Sequence, residues 1–136
     1  MLFGLFERKK KYSEIAELSE DAKQWNKMWD MWSDGEVVSP YNELMNYQSE
    51  VNNGGHAQYF INTENVSNLT DEISTLNNIL PGVLKENLKN AYQAHLLLKD
   101  GETNDAAEAD IKKCDAVFFD NEEMINDILN NYCKEL

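Results

Sequence analysis

The sequence predicts an all-α fold, a single compact bundle of about six helices with a Gly-Gly helix junction near residues 53–55. Apolar residues recur at steps of three and four along most of the chain, and no stretch sustains the period-two alternation of a half-buried strand. Gly, Pro and Asn interrupt these stripes at intervals of about one helix length. At 136 residues with 42% hydrophobic content, the chain suits one domain with one core.

The first stripe runs through Ile15, Leu18, Ala22, Trp25, Trp29 and Trp32 and stops at Gly35. Three tryptophans at helical spacing suit a core face, with a partner-binding surface as the alternative. Ser39-Pro40 then offers an N-cap followed by proline at the first helical position, where its missing N–H costs nothing. Leu44, Tyr47 and Val51 line one side of the helix that follows.

Asn53-Gly54 is a hairpin signal as well, and Tyr47, Ser49 and Val51 do alternate. Leu44, Tyr47 and Val51 fit the helical period over a longer span, however, and "HAQYFI" has no clean alternation. The segment therefore reads as helix, Asn-Gly-Gly stop and short second helix. Gly54 or Gly55 takes the left-handed conformation, and Tyr59 and Phe60 turn into the core. A functional alternative has N–H groups near Gly55 and His56 holding an anion, with His56 assisting.

Asn68 can cap the next helix, with Asp71 near the positive end of its dipole and Ile73, Leu76 and Leu80 on its buried face. Pro81-Gly82 breaks the pattern, and Leu84, Leu88, Ala91, His95 and Leu98 resume it as far as Lys99-Asp100-Gly101. His95 on that apolar face reads as a hydrogen-bonded core residue. After the polar loop 100–104, Ala107, Ile111, Cys114 and Phe118 form a further stripe. Asp120 with Glu123 has the D-x-x-E form of an N-terminal cap, which predicts a helix break before Ile125, Ile128, Leu129 and Tyr132.

Net charge is -13, so the electrostatic term that drives binding to phosphate backbones would be repulsive, and direct nucleic-acid binding is disfavoured. Residues 1–12 hold Arg8, Lys9, Lys10 and Lys11 against Glu7. Residues 13–136 thus keep eight basic and 24 acidic groups, a net -16. The chain divides into a basic, partly flexible N-terminal segment, 1–12, and an acidic helical domain, 13–136. "MLFGLFERKKK" reverses the order of a signal peptide and reads as uncleaved. It is a frayed or partly docked terminus or, at its sharpest, a weak interfacial anchor. Stable membrane anchoring is not expected, since no apolar run approaches the roughly 20 residues that span a bilayer.

Two cysteines, Cys114 and Cys133, and two histidines, His56 and His95, give no metal-ligand spacing. Reduced thiols, a cytoplasmic location, no cofactor and a monomer or weak homodimer are the expectations. The two N-x-[ST] matches at Asn65 and Asn68 are at chance level in an Asn-rich chain. Enzymatic chemistry would have to use His56 with Glu50, or Cys114 with an unplaced partner, and neither has a supporting motif.

"EVNNGGHAQYFINT", residues 50–63, resembles the signature of a bacterial family of unknown-function domains that includes a DNA-mimic protein. Glu50, Val51, Asn53, Gly54, Gly55, Gln58, Tyr59, Phe60 and Asn62 match its E-V-x-N-G-G segment with the following glutamine and aromatic pair. The likeness extends through "ISTLNNILPGVLKENLKNAYQAHL" to the C-terminus, covering roughly 41–136. Family members tend to have Phe where this chain has His56, and a polar residue where it has Ala57. The resemblance implies an all-α fold and a protein that occupies the DNA-binding face of a transcription regulator.

Charge and resemblance together lead to a non-enzymatic acidic module that engages a basic protein, with a DNA-binding regulator as the specific case. Its candidate surface comprises Asp105, Glu108, Asp110, Asp115, Glu122 and Glu123. Glu108, Asp115 and Glu122 would share a face only if their helix continued unbroken. The alternatives are an immunity-type inhibitor of a basic toxin nuclease, a small enzyme using His56, and an acidic excess that serves solubility alone.

Overall fold

A computed structural model describes residues 19–99 and 103–136. The basic segment 1–12, Ile15 and Leu18 of the first stripe, and Asp100, Gly101 and Glu102 lie outside the described residues.

Five helices make up the described chain: α1 (Glu20–Ser33), α2 (Tyr41–Val66), α3 (Leu69–Asn77), α4 (Gly82–Lys99) and α5 (Asp105–Cys133). Ser19 caps α1 by accepting the Ala22 N–H at 3.1 Å. Gly35 ends it in a Schellman arrangement: φ is 74°, its N–H reaches Trp32 O, and the Glu36 N–H reaches Met31 O at 2.8 Å. Before α2, Pro40 occupies the cap position and Tyr41 opens the helix, one residue later than the sequence predicts. The Ser39 hydroxyl donates to Glu43 Oε2 at 2.7 Å instead of capping backbone. Asn68 caps α3 as expected, accepting the Asp71 N–H at 3.0 Å, and Asn104 does the same for α5 through Ala107.

The break predicted at Asp120 does not occur, and the two segments expected on either side of the glycine junction form one kinked helix, so the described residues hold five helices rather than about six. Ile111, Cys114, Phe118, Ile125, Leu129 and Tyr132 keep one phase across Asp120, so a single continuous face is buried. Leaving that face to obey one capping signal would expose more apolar surface than a cap returns.

α4 packs along α5, α2 touches α3, α4 and α5, and α1 closes on α5. The core between them holds Met28, Leu44, Tyr47, Tyr59, Phe60, Leu84, Leu88, Phe118, Ile125 and Leu129, with Trp25, Trp29 and Trp32 half-buried against it. The tryptophan stripe is therefore a core-facing stripe, its rings meeting edge to face at 6.3 and 5.3 Å. A smaller cluster of Ala94, Ala107 and Ile111 closes the far end of the α4–α5 pair. Among the described residues no helix is long and apolar enough to cross a membrane.

Candidate functional site

The glycine junction is a kink within α2. Gly54 has φ -153° and ψ 17°, and Gly55 has φ 77° and ψ -177°, so helical geometry is lost for two residues and regained at His56. Gly55 is the position with positive φ, in a region essentially confined to glycine. It also packs closely against α5, because a Cβ there would stand 2.5 Å from Asp115 Oδ2. A Cβ on Gly54 would instead collide with the Gln58 side chain of its own helix.

The kink aims His56 into the core. Its ring is fully buried, and both nitrogens are engaged: Nδ1 lies 2.7 Å from Asp115 Oδ1 and Nε2 2.7 Å from the Tyr47 hydroxyl. The His56 backbone N–H donates to the same Asp115 oxygen at 2.8 Å. Burial pushes the Tyr47 hydroxyl far above its ordinary pKa, so it stays protonated, and against a neutral ring whose Nδ1 donates to the Asp115 carboxylate it donates to Nε2. In the neutral ring the hydrogen then sits on Nδ1, facing Asp115. An anion held by the backbone N–H of His56 would have to displace that carboxylate.

Glu50 and His56, the pair considered for acid–base chemistry, are not joined. Glu50 Oε2 accepts from Gln58 at 2.9 Å and from Asn62 at 2.8 Å, a clamp that spans the kink. Three residues of the quoted signature thus hold the two halves of α2 together, while Tyr59 and Phe60 fill the core and Asn53 is exposed. Cys114 is buried, and burial followed by Asp115 and Asp110 raises its thiol pKa, so it has little thiolate character. His95 Nε2 donates to Glu64 Oε1 at 2.8 Å and its ring packs on Phe60, with Lys99 Nζ 3.2 Å from the same Glu64 oxygen. Among the described residues no group of His, Cys, Asp and Glu could hold a metal ion.

The six carboxylates of the candidate surface divide into two sets. Asp105, Glu108, Asp110 and Glu123 are exposed, whereas Asp115 and Glu122 are half-buried and turn toward α2. Glu122 Oε2 accepts from Gln48 at 3.0 Å and from Asn52 at 2.6 Å, as Asp115 does from His56. The unbroken α5 therefore puts Asp115 and Glu122 on one flank, and that flank is used inside the fold. Asp120 and Asp127, also exposed, stand near Glu123 on the outer side of the helix.

Sequence reading missed the partners of these groups. Asp115, Glu122 and Glu72 sit at the margins of apolar stripes, which is the one local sign that an acid could turn inward. No family model, curated protein or solved structure matches the chain.

Proposed function

We propose that this chain is a non-enzymatic acidic module that binds a basic protein through the outer carboxylates of α5. The carrying observation is that α5 exposes Asp105, Glu108, Asp110, Asp120, Glu123 and Asp127 against only Lys112 and Lys113 on the same stretch. Full engagement of both His56 nitrogens and the raised thiol pKa of Cys114 favour this over the enzymatic alternative.

The DNA-mimic form of the reading asks more of the surface. Six carboxylates over about 33 Å of helix give one per roughly 5–6 Å, against one phosphate charge per about 1.7 Å of duplex. A neighbouring helix would have to add to them, and α4 contributes Lys85, Lys89 and Lys99 against Glu86. A DNA-binding regulator is proposed as the partner on the strength of the family resemblance, and a basic protein patch on the strength of charge.

Affinity capture at low salt, followed by binding measurement on the recovered protein, tests the reading. Glu108→Lys, Asp110→Lys and Glu123→Lys together should weaken binding at least about tenfold more than Glu20→Lys, Asp21→Lys and Asp34→Lys together. Asp115 is left out because its loss would disturb His56. Equal losses from the two sets would mean that overall charge alone drives association, and the proposed surface would be wrong.

A further inference from the structure

Between α1, α2 and α3 lies an open cavity of about 700 Å³ to which α5 contributes no lining residue. Its size falls in the range of small-molecule sites. Glu43, Glu50 and Glu72 line it together with the Asn46 and Asn62 carboxamides and the Trp32 indole, and among the described residues no lysine, arginine or histidine does. Glu43 and Glu50 stand seven residues apart on α2, about 10 Å along its axis, and Glu72 enters from α3.

Glu72 separates this cavity from an ordinary acidic patch. Its residue is only 9% exposed, and its hydrogen bonds come from two neutral hydroxyls, Tyr59 at 3.2 Å and Ser67 at 3.4 Å. No cation pairs with it among the described residues. A buried carboxyl without a cation is costly, and burial, reinforced by Glu43 and Glu50, raises its pKa. The other walls are held in place from within: Gln58 and Asn62 fix Glu50, and Trp32 Nε1 donates to Asn46 Oδ1 at 2.8 Å. Those contacts use Oε2 of Glu50, and Ser39 uses Oε2 of Glu43, so Oε1 of each has no hydrogen bond shown among the described residues.

We propose that this cavity binds an aliphatic polycation, a methylene chain carrying two or more ammonium or guanidinium groups. The charged ends pair with Glu43, Glu50 and Glu72, and the Trp32 ring covers the chain between them. Two glutamates whose backbone positions lie about 10 Å apart along α2 suit separated charges better than a single compact ion. The chain is either a free polyamine or neighbouring lysine and arginine side chains of a protein. This site stands independently of the α5 surface.

The test uses the full ¹⁵N-labelled chain with spermidine, read at the Trp32 indole N–H resonance assigned through Trp32→Phe. A saturable shift is expected, and N1,N8-diacetylspermidine, which keeps the length and loses both terminal charges, should bind at least about tenfold more weakly. Glu43→Gln with Glu72→Gln should weaken spermidine binding at least about tenfold, and Glu43→Gln alone supplies the same readout if the double variant is unstable. Asp110→Asn with Glu123→Gln removes the same charge from α5 and should change binding less than about twofold. Equal weakening by the two double variants, or a Trp32 signal that never saturates, would overturn the proposal. A capped Lys-Gly-Lys peptide that binds more tightly than spermidine assigns the site to a protein ligand, and the reverse order to a free polyamine.

Discussion

At the scale of single residues, the two glycines at the kink are not equivalent. Gly55 combines a positive φ with contact to Asp115 on another helix, so Gly55→Ala should cost about 1–3 kcal/mol and lower the thermal midpoint. Gly54 has negative φ, but a Cβ there would stand 2.8 Å from Gln58 Cβ, so Gly54→Ala should also destabilise, by displacing Gln58 from its bond to Glu50 rather than through backbone strain. A midpoint unchanged by Gly55→Ala would remove the steric account of the junction. Asp115→Ala takes the acceptor from both the His56 backbone N–H and its ring, and leaving buried donors unpaired costs about 1–3 kcal/mol. Two glutamates should move stability in opposite directions with pH. Glu64 has a lowered pKa, chiefly from its hydrogen bond to His95, so its contribution is present above 4.5 and is lost as pH falls through the folded value. The destabilisation caused by Glu64→Gln should therefore shrink on acidification, as measured by denaturant midpoints across pH. Glu72 has a raised pKa, so its contribution is full below 4.5 and is lost as pH rises through the folded value. Glu72→Gln should accordingly be neutral or stabilising at pH 7, and a large loss there would show that the charged form is needed.

Individual helices show which local signals win. The Asn68 cap is realised because its side chain lies beside the free Asp71 N–H, while Asp120 sits inside a helix whose N–H groups are already paired. Asn104 is the working cap of α5, and Asn104→Ala should cost about 0.5–2 kcal/mol, whereas Asp120→Ala should change stability by less than about 0.5 kcal/mol. Thermal unfolding of the two variants compares them directly, and equal losses would mean that α5 is divided near Asp120. The stripes of α3, α4 and α5 face the core as their spacing predicts, with Ile73, Leu98 and Ile128 half-buried at their edges, since burial of a helix face depends on steps of three and four that a sequence displays. The kink in α2 was legible too, because only glycine supplies the geometry it needs. The Glu50–Gln58–Asn62 clamp was not, since a break of helical phase at Gly54 and Gly55 defeats any fixed-spacing rule between Glu50 and Gln58.

For the whole molecule, the charge distribution governs how a partner would be held. Exposed carboxylates on α5 act through a screening length that shrinks from about 30 Å at 0.01 M salt to about 8 Å at 0.15 M, so on-rate and affinity should fall steeply over that range. Binding that is insensitive to salt would point to apolar contact and away from the α5 surface. The sequence by itself determined the all-α class, the net acidity, the core stripes and the glycine junction, because each follows from composition or from contacts within one helical turn. Only the tertiary structure decided which acids are available to a partner. Asp115 reaches His56 across 59 positions and Glu122 reaches Gln48 across 74, while Glu72 is turned inward against Tyr59. The reason is physical: whether a carboxylate at the edge of an apolar stripe meets water or a buried donor is set by how closely the neighbouring helix approaches. That approach, here fixed by the missing Cβ of Gly55 against Asp115, belongs to no single segment of the chain.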